Sequence, residues 1–90
     1  MKNYTTAKHV LNAIAIYEPD ALILEVEAIT RCIQKGKKCD TFPKLSRKEL
    51  ARLLEEFLDE ADEGLLIERT LTRILHEENV RSFIRNVLSS

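Results

Sequence analysis

Apolar residues recur every three or four positions over most of this 90-residue chain, which predicts a series of amphipathic helices. The first helix is predicted over residues 6–17 and the second over residues 19–35. Pro19 separates them, because proline lacks a backbone donor, disfavours helical geometry in the preceding residue and suits the first turn of a new helix. Gly36 follows the second helix, where a left-handed cap commonly ends a helix.

The third helix has the most specific start signal in the chain. Ser46 is followed three residues later by Glu49, which is the pattern of a capping box. Leu45 and Leu50 stand on either side of the cap, at the two positions that form a hydrophobic staple. From Ser46 the apolar face continues to Gly64, and we predict one helix over that range.

The C-terminal pattern leaves two alternatives open. A fourth helix is predicted over residues 65–76, and helical spacing then resumes at Val80. Val80 comes nine residues after Leu71, and nine steps of about 100° place it half a turn away. Either the chain breaks near Asn79, or one long helix carries a second apolar patch that would suit another subunit. In both cases we predict a single all-α domain over residues 1–90, a small bundle of four to five helices.

The size of the chain favours self-association. A domain this short buries only about 60–65% of the surface of its unfolded chain, so its own core gives limited stability. Oligomerisation commonly buries further apolar surface in such domains. The second predicted helix also carries more apolar residues than one neighbouring helix would cover. We therefore expect a homodimer. Its candidate interface residues are Ile23, Leu24, Val80, Phe83, Ile84 and Val87.

Overall composition narrows the classes of protein without naming a function. The formal net charge is -1 and the pI is about 6.1, so bulk charge does not indicate a nucleic-acid binder. No apolar run approaches the roughly 20 residues that a membrane span needs. The N-terminal residues lack the apolar stretch and cleavage site of a signal peptide. We expect a cytoplasmic protein with no membrane contact.

Charge is strongly segregated in the middle of the chain. Residues 31–48, the basic segment, hold seven basic residues and one acidic residue, a net charge of +6. Residues 49–63, the acidic segment, hold seven acidic residues and one basic residue, a net charge of -6. Such segregation serves either solubility or docking to a partner of opposite charge. The candidate partner-binding residues are Lys35, Lys37, Lys38, Lys44, Arg47 and Lys48.

The two cysteines do not have the spacing of a metal site. Cys32 and Cys39 are seven residues apart, whereas paired zinc ligands are usually two to four apart. The histidines, His9 and His76, lie on different predicted helices. We expect Cys32 to be a buried apolar residue and Cys39 an exposed loop thiol. The alternative is a disulfide or redox switch, in which nearby lysines would make Cys39 the more reactive thiol.

Two other stretches resemble known binding loops but lack the residue types that those loops require. The stretch "QKGKKCDT" has one glycine and no preceding strand, unlike a phosphate-binding loop. "DEADEG" would place Ala61 and Thr70 at carboxylate positions of a calcium loop. The helix that begins at Ser46 runs on into acidic sequence, which would repel DNA. No arrangement of nucleophile, acid and base indicates catalysis, so we expect no enzymatic activity and no cofactor.

Residues 24–75 resemble a known family. The similarity lies in three stretches: "LEVEAITRCIQKGKK", "LSRKELARLLEEFLDEADEG" and "LIERTLTRIL". It resembles the small enterobacterial YmgB/AriR/YcgZ proteins. The resemblance implies a helical homodimer without enzymatic activity, of the kind that connects bacterial two-component signalling to biofilm formation and to acid or stress resistance. DNA binding has also been proposed for the family. The longer loop "KKCDTFPK" and the C-terminal segment "VRSFIRNVLSS" lie outside the pattern.

The sequence therefore predicts a small regulatory adaptor that acts by protein–protein contact. The resemblance implies a sensor kinase or a response regulator as its partner. The first alternative is a nucleic-acid-binding transcriptional regulator that uses the basic segment. The second alternative is a phage- or plasmid-borne inhibitor of a host protein, which would rely on the same physical contacts as the adaptor.

Overall fold

A computed structural model of the chain describes residues 2–59 and 61–89, with side chains from 3–59 and 65–89. Within these residues there are five helices and no strand, which confirms the predicted all-α class. The helices are α1 (Lys2–Tyr17), α2 (Pro19–Lys35), α3 (Arg47–Leu58), α4 (Ala61–Leu75) and α5 (Val80–Ser89). None of the helices within the described residues combines the length and hydropathy needed to cross a membrane.

The start and end of α2 follow the local signals in the sequence. Pro19 occupies the first turn, immediately after the N-cap residue Glu18. At the other end Gly36 adopts a left-handed conformation with φ of 69°. Its backbone N–H donates to the carbonyl of Ile33 over 3.3 Å. A side chain at position 36 would be strained by this φ, which explains why glycine stands there.

The capping box of α3 is confirmed. The Ser46 hydroxyl accepts a hydrogen bond from the Glu49 backbone N–H over 3.2 Å. In return, the Glu49 carboxylate accepts one from the Ser46 backbone N–H over 3.0 Å. Two backbone donors that the helix leaves unpaired are thereby satisfied.

The break between α3 and α4 lies earlier than predicted. We expected one helix from Ser46 to Gly64, but α3 ends at Leu58 and α4 already begins at Ala61. Gly64 is therefore inside α4 and does not end a helix. At this end of α3, Arg81 of α5 donates to the carbonyl of Leu58 over 2.7 Å and so supplies a partner that the helix itself does not provide.

The C-terminal ambiguity is resolved in favour of a break. The backbone of His76 has a positive φ of 57°, which a continuing helix does not allow. Asn79 then caps α5, since its side-chain carbonyl accepts from the Ser82 backbone N–H over 3.0 Å. The break reorients the following segment, and Val80 and Ile84 enter the core.

Helix α3 lies at the centre of the bundle, where α2, α4 and α5 all pack against it, and α1 packs on α2. The bundle measures 29 × 27 × 19 Å. Among the side chains that the structure describes, the buried polar ones are two threonines. Thr30 and Thr70 each donate their hydroxyl to the carbonyl one turn earlier, at Val26 and Leu66, so neither hydroxyl is left without a partner.

Candidate partner-binding surface

The basic segment begins at the end of α2, forms a compact turn and reaches the first turn of α3. After Gly36 the chain reverses, and the Lys37 backbone N–H donates to the carbonyl of Cys32 over 3.0 Å. Two further backbone bonds shape the turn, from Phe42 to the Cys39 carbonyl and from Leu45 to the Phe42 carbonyl, both 3.1 Å. The segment is thus held by main-chain hydrogen bonds as well as by its side chains.

Apolar side chains anchor this turn to the core. Cys39 and Leu45 are buried, and Phe42 is half-buried against the same core. The guanidinium Nε of Arg47 donates to the carbonyl of Ile33 over 2.8 Å and so joins the start of α3 to the last turns of α2. These contacts fix the backbone from which the charged side chains extend.

The basic side chains on the turn are exposed. Within the described residues no ion pair forms with any of the five lysines of the basic segment. These are Lys35, Lys37, Lys38, Lys44 and Lys48, and Arg31 is exposed as well. Within the described residues, Arg47 is the one candidate partner-binding residue whose side chain makes a hydrogen bond. The structure therefore groups all six candidates on one ordered, positively charged stretch, and their role in binding stays a prediction.

Unlike these lysines, acidic side chains of α3 and its C-cap residue Asp59 form hydrogen bonds or ion pairs within the chain. Glu49 is part of the capping box. The Glu56 carboxylate lies 3.1 Å from the ammonium group of Lys8 on α1. Asp59 lies 2.9 Å from the guanidinium of Arg81 on α5. Each of these acids already has a structural partner, so the basic segment is the less compensated of the two charged regions.

The other acids of the acidic segment divide into two groups. Glu55 is half-buried and, with Asp59, lines a small cleft beside Arg81. The side chains of Glu60, Asp62 and Glu63 lie outside the described residues. A basic partner for the acidic segment therefore has less support than an acidic partner for the basic segment.

An apolar groove of about 290 Å³ adjoins the basic segment. It lies between α1 and residues 41–45, and its lining includes Ala7, Phe42, Pro43 and Leu45. Lys44 lines the same groove, which puts a positive charge next to an apolar surface. Sequence patterns did not indicate this groove, because it forms between segments more than 30 residues apart.

The prediction for the cysteines is wrong in both respects. Cys39 is only 1% exposed, although we expected an exposed loop thiol, and Cys32 is half-buried. The reason is the cap at Gly36, which folds the chain back over the end of α2 and carries Cys39 into the core. Burial raises the pKa of the Cys32 thiol, and the neighbouring Cys39 raises it further. Both thiols are free in this structure.

The structure also contradicts half of the predicted dimer interface. Val80, Ile84 and Val87 are buried within the chain, because α5 packs these side chains against α3. They are covered by their own subunit and are not available to a second one. Among the other candidates, Phe83 and Ile23 are half-buried, and Leu24 is 67% exposed.

Two polar contacts went unnoticed in the sequence. Arg81 binds the end of α3 through Leu58 and Asp59. The buried hydroxyl of Tyr4 on α1 has no hydrogen-bond partner within the described residues, and the Glu56 carboxylate acts on it electrostatically. Burial and the Glu56 carboxylate raise the pKa of the Tyr4 hydroxyl. Both contacts join residues more than 20 positions apart, and no local pattern encodes them.

Within the described part of the chain, no group of three or more histidine, cysteine or carboxylate side chains is placed to hold a metal ion. No protein-family model, curated protein or solved structure matches this chain. The resemblance to the YmgB/AriR/YcgZ proteins over residues 24–75 thus stays a sequence-based prediction.

Proposed function

We propose that this protein is a small, non-enzymatic regulatory adaptor whose basic segment binds an acidic surface of another protein. The observation that carries the proposal is the imbalance between its two charged regions. Acids of α3 are engaged by Lys8 and Arg81, whereas the lysines of the basic segment have no ion-pair partner within the described residues. Charges that lack partners in the free chain and stand on an ordered turn suit complementary docking.

The apolar groove beside the basic segment favours a protein partner. A protein can offer an apolar side chain to Phe42 and Pro43 while its carboxylates meet Lys44 and the neighbouring lysines. A phosphate backbone would satisfy only the charges. The resemblance to connectors of two-component signalling supports a sensor kinase or a response regulator as that partner.

We further propose that the adaptor is a homodimer that uses the exposed apolar side chains of α1 and α2. Ile16, Tyr17 and Leu24 are 72%, 81% and 67% exposed, so a second subunit could bury them. Leu24 and the half-buried Ile23 are the members of the predicted interface on these helices. Light scattering at micromolar concentration should give twice the monomer mass for the wild type and the monomer mass for Leu24→Glu. A monomeric wild type would contradict the dimer.

The alternative function is nucleic-acid binding by the basic segment. The close spacing of the lysines in this segment and their lack of ion pairs within the described residues favour this alternative. Lysines that neutralise phosphates release counterions, so such binding must weaken steeply as salt rises. Binding to an acidic protein that also fills the apolar groove should keep more of its affinity at high salt, because burial of apolar surface is not screened.

The experiment that tests the proposal is affinity capture from native lysate with two variants of equal charge change. The first variant carries Lys37→Glu, Lys38→Glu and Lys44→Glu in the basic segment. The matched control carries Arg69→Glu, Arg73→Glu and Arg85→Glu, three exposed positions on α4 and α5. Circular dichroism should show the same helicity for both.

The proposal predicts that one protein is captured by the wild type and the control variant but is reduced at least about tenfold by the basic-segment variant. Its capture should survive nuclease treatment. Capture that disappears with nuclease would move the function to nucleic-acid binding. Equal capture by both variants would refute the basic segment as the site.

A further inference from the structure

The turn after α2 brings the two cysteines together. Because Gly36 reverses the chain, the Lys37 backbone N–H reaches the carbonyl of Cys32 at 3.0 Å. The sulfur of Cys32 then lies 3.8 Å from the carbonyl oxygen of Lys38, the residue directly before Cys39. Cys39 follows Lys38 directly and belongs to the core cluster against which Cys32 packs, so the turn places the two side chains in the same region.

The two thiols differ in accessibility. Cys39 is buried at 1% exposure, whereas Cys32 is only partly covered. A reagent from solvent therefore meets Cys32 first, and Cys39 stands behind it. This is the reverse of the sequence-based expectation that Cys39 is the reactive thiol.

We propose that Cys32 and Cys39 form a redox-active dithiol that a small disulfide, such as oxidised glutathione, converts into an intramolecular disulfide. Cys32 is the entry thiol and Cys39 the resolving thiol. The site does not depend on the proposed partner, because the cap and the core contacts of the turn place the two side chains together.

The reaction balances in two exchange steps. The Cys32 thiolate attacks one sulfur of oxidised glutathione, which forms a mixed disulfide and releases one glutathione thiolate. The Cys39 thiolate then attacks the Cys32 sulfur, which forms the Cys32–Cys39 bond and releases the second glutathione thiolate. Two electrons pass from the protein to oxidised glutathione, and the two thiol protons leave with the two released glutathiones.

The product would close a short ring around the cap at Gly36 and would fix the turn that carries Lys35, Lys37 and Lys38. Oxidation would thus act directly on the backbone of the basic segment. Reduction by excess glutathione would restore the free thiols by the same two steps in reverse.

The chain provides a clear assay for this disulfide. The three lysines between the cysteines allow trypsin to separate residues 32–35 from residues 39–44. After oxidation, quenching with an alkylating agent and digestion, the two peptides should be found joined and lighter by about 2 Da than their sum. If the two peptides are found separate and alkylated after oxidation, no disulfide has formed and the proposal is refuted.

The decisive measurement compares the folded and unfolded chain in glutathione buffers. If the fold holds the thiols together, the native protein should form the disulfide at a ratio of oxidised glutathione to the square of reduced glutathione about tenfold lower than the chain in urea does. An equal or higher ratio for the native protein would refute the preformed dithiol, because the unfolded chain would then pair its cysteines at least as well.

Single-cysteine variants assign the two roles. Cys39→Ala should accumulate a glutathione adduct on Cys32, because the resolving thiol is gone. Cys32→Ala should react much more slowly, since Cys39 is buried. Faster labelling of Cys39 than of Cys32 would overturn the assignment. The comparison of native and unfolded wild type stands even where a variant folds poorly.

Discussion

Replacement of Arg81 by alanine should destabilise the fold, because this side chain joins α5 to the end of α3. Its guanidinium donates to the carbonyl of Leu58 over 2.7 Å and to the Asp59 carboxylate over 2.9 Å. The Leu58 carbonyl belongs to the last turn of α3, where the helix itself supplies no partner. The third contact is weaker, since the Glu68 carboxylate lies 3.8 Å away.

The contacts set the size of the effect. A hydrogen bond from a charged donor to a partly buried carbonyl contributes about 1.5–3 kcal/mol. The Arg81 side chain is 38% exposed and that of Asp59 is 66% exposed, so solvent screens their ion pair to less than about 1 kcal/mol. We expect a loss of about 2–3 kcal/mol in the free energy of unfolding. For a domain of this length that lowers the melting temperature by roughly 10–20 °C.

Urea unfolding followed by circular dichroism measures this loss. Arg85→Ala is the matched control, because Arg85 is exposed one turn further along α5 and forms no ion pair within the described residues. The control should change the free energy of unfolding by less than about 0.5 kcal/mol. If Arg81→Ala is equally harmless, the bond to Leu58 does not stabilise the junction between α3 and α5.

Three further predictions follow from burial, capping and ionisation. Ile84→Ala should cost about 2–5 kcal/mol in urea unfolding because Ile84 is only 1% exposed, and a cost below about 1 kcal/mol would place this face outside the core. Ser46→Ala should cost about 1 kcal/mol by removing one bond of the capping box, whereas unchanged stability would show that the cap is dispensable. Burial, reinforced by Glu56, raises the pKa of Tyr4 above its usual value of 10.0, so the fold favours the protonated phenol. The stabilisation from this group is complete below about pH 10 and is lost as the pH rises further. Tyr4→Phe should therefore reduce the loss of stability between about pH 9 and pH 11. Equal alkaline loss in the wild type and in Tyr4→Phe would contradict the assignment.

Local signals in the sequence predicted the helices well where a few adjacent residues decide the structure. The capping box at Ser46, the first-turn proline of α2 and the left-handed cap at Gly36 are all confirmed. Each involves residues within about four positions of one another, so a short pattern contains all the information that the backbone needs.

Features that depend on distant residues were missed. The carbonyl of Leu58 at the end of α3 finds its partner in Arg81, which comes 23 residues later. Cys39 looked exposed because lysines surround it in the sequence, but the turn at Gly36 directs it inward while the lysines stay in solvent. For α5, helical spacing alone could not tell whether its apolar face met a second subunit or the core. The break at His76 decides that question through backbone geometry.

The same distinction applies to the candidate site. The basic segment and its residues could be identified by counting charges along the chain. Charge counting could not show that these lysines lack ion-pair partners. In the fold, α1 and α5 supply Lys8 and Arg81 to Glu56 and Asp59, so those acids are paired without the lysines of the basic segment. The groove beside Lys44 also appears only when α1 packs next to the turn.

Site-specific photo-crosslinking tests directly whether the basic segment binds another protein. A photoreactive residue at Lys38, exposed on the basic segment, is compared in native lysate with the same residue at Arg73, exposed on α4. The account predicts one protein adduct at position 38, insensitive to nuclease and competed by unlabelled wild-type protein, and no such adduct at position 73. An adduct at position 73 alone, or only a nucleic-acid adduct at position 38, would contradict it.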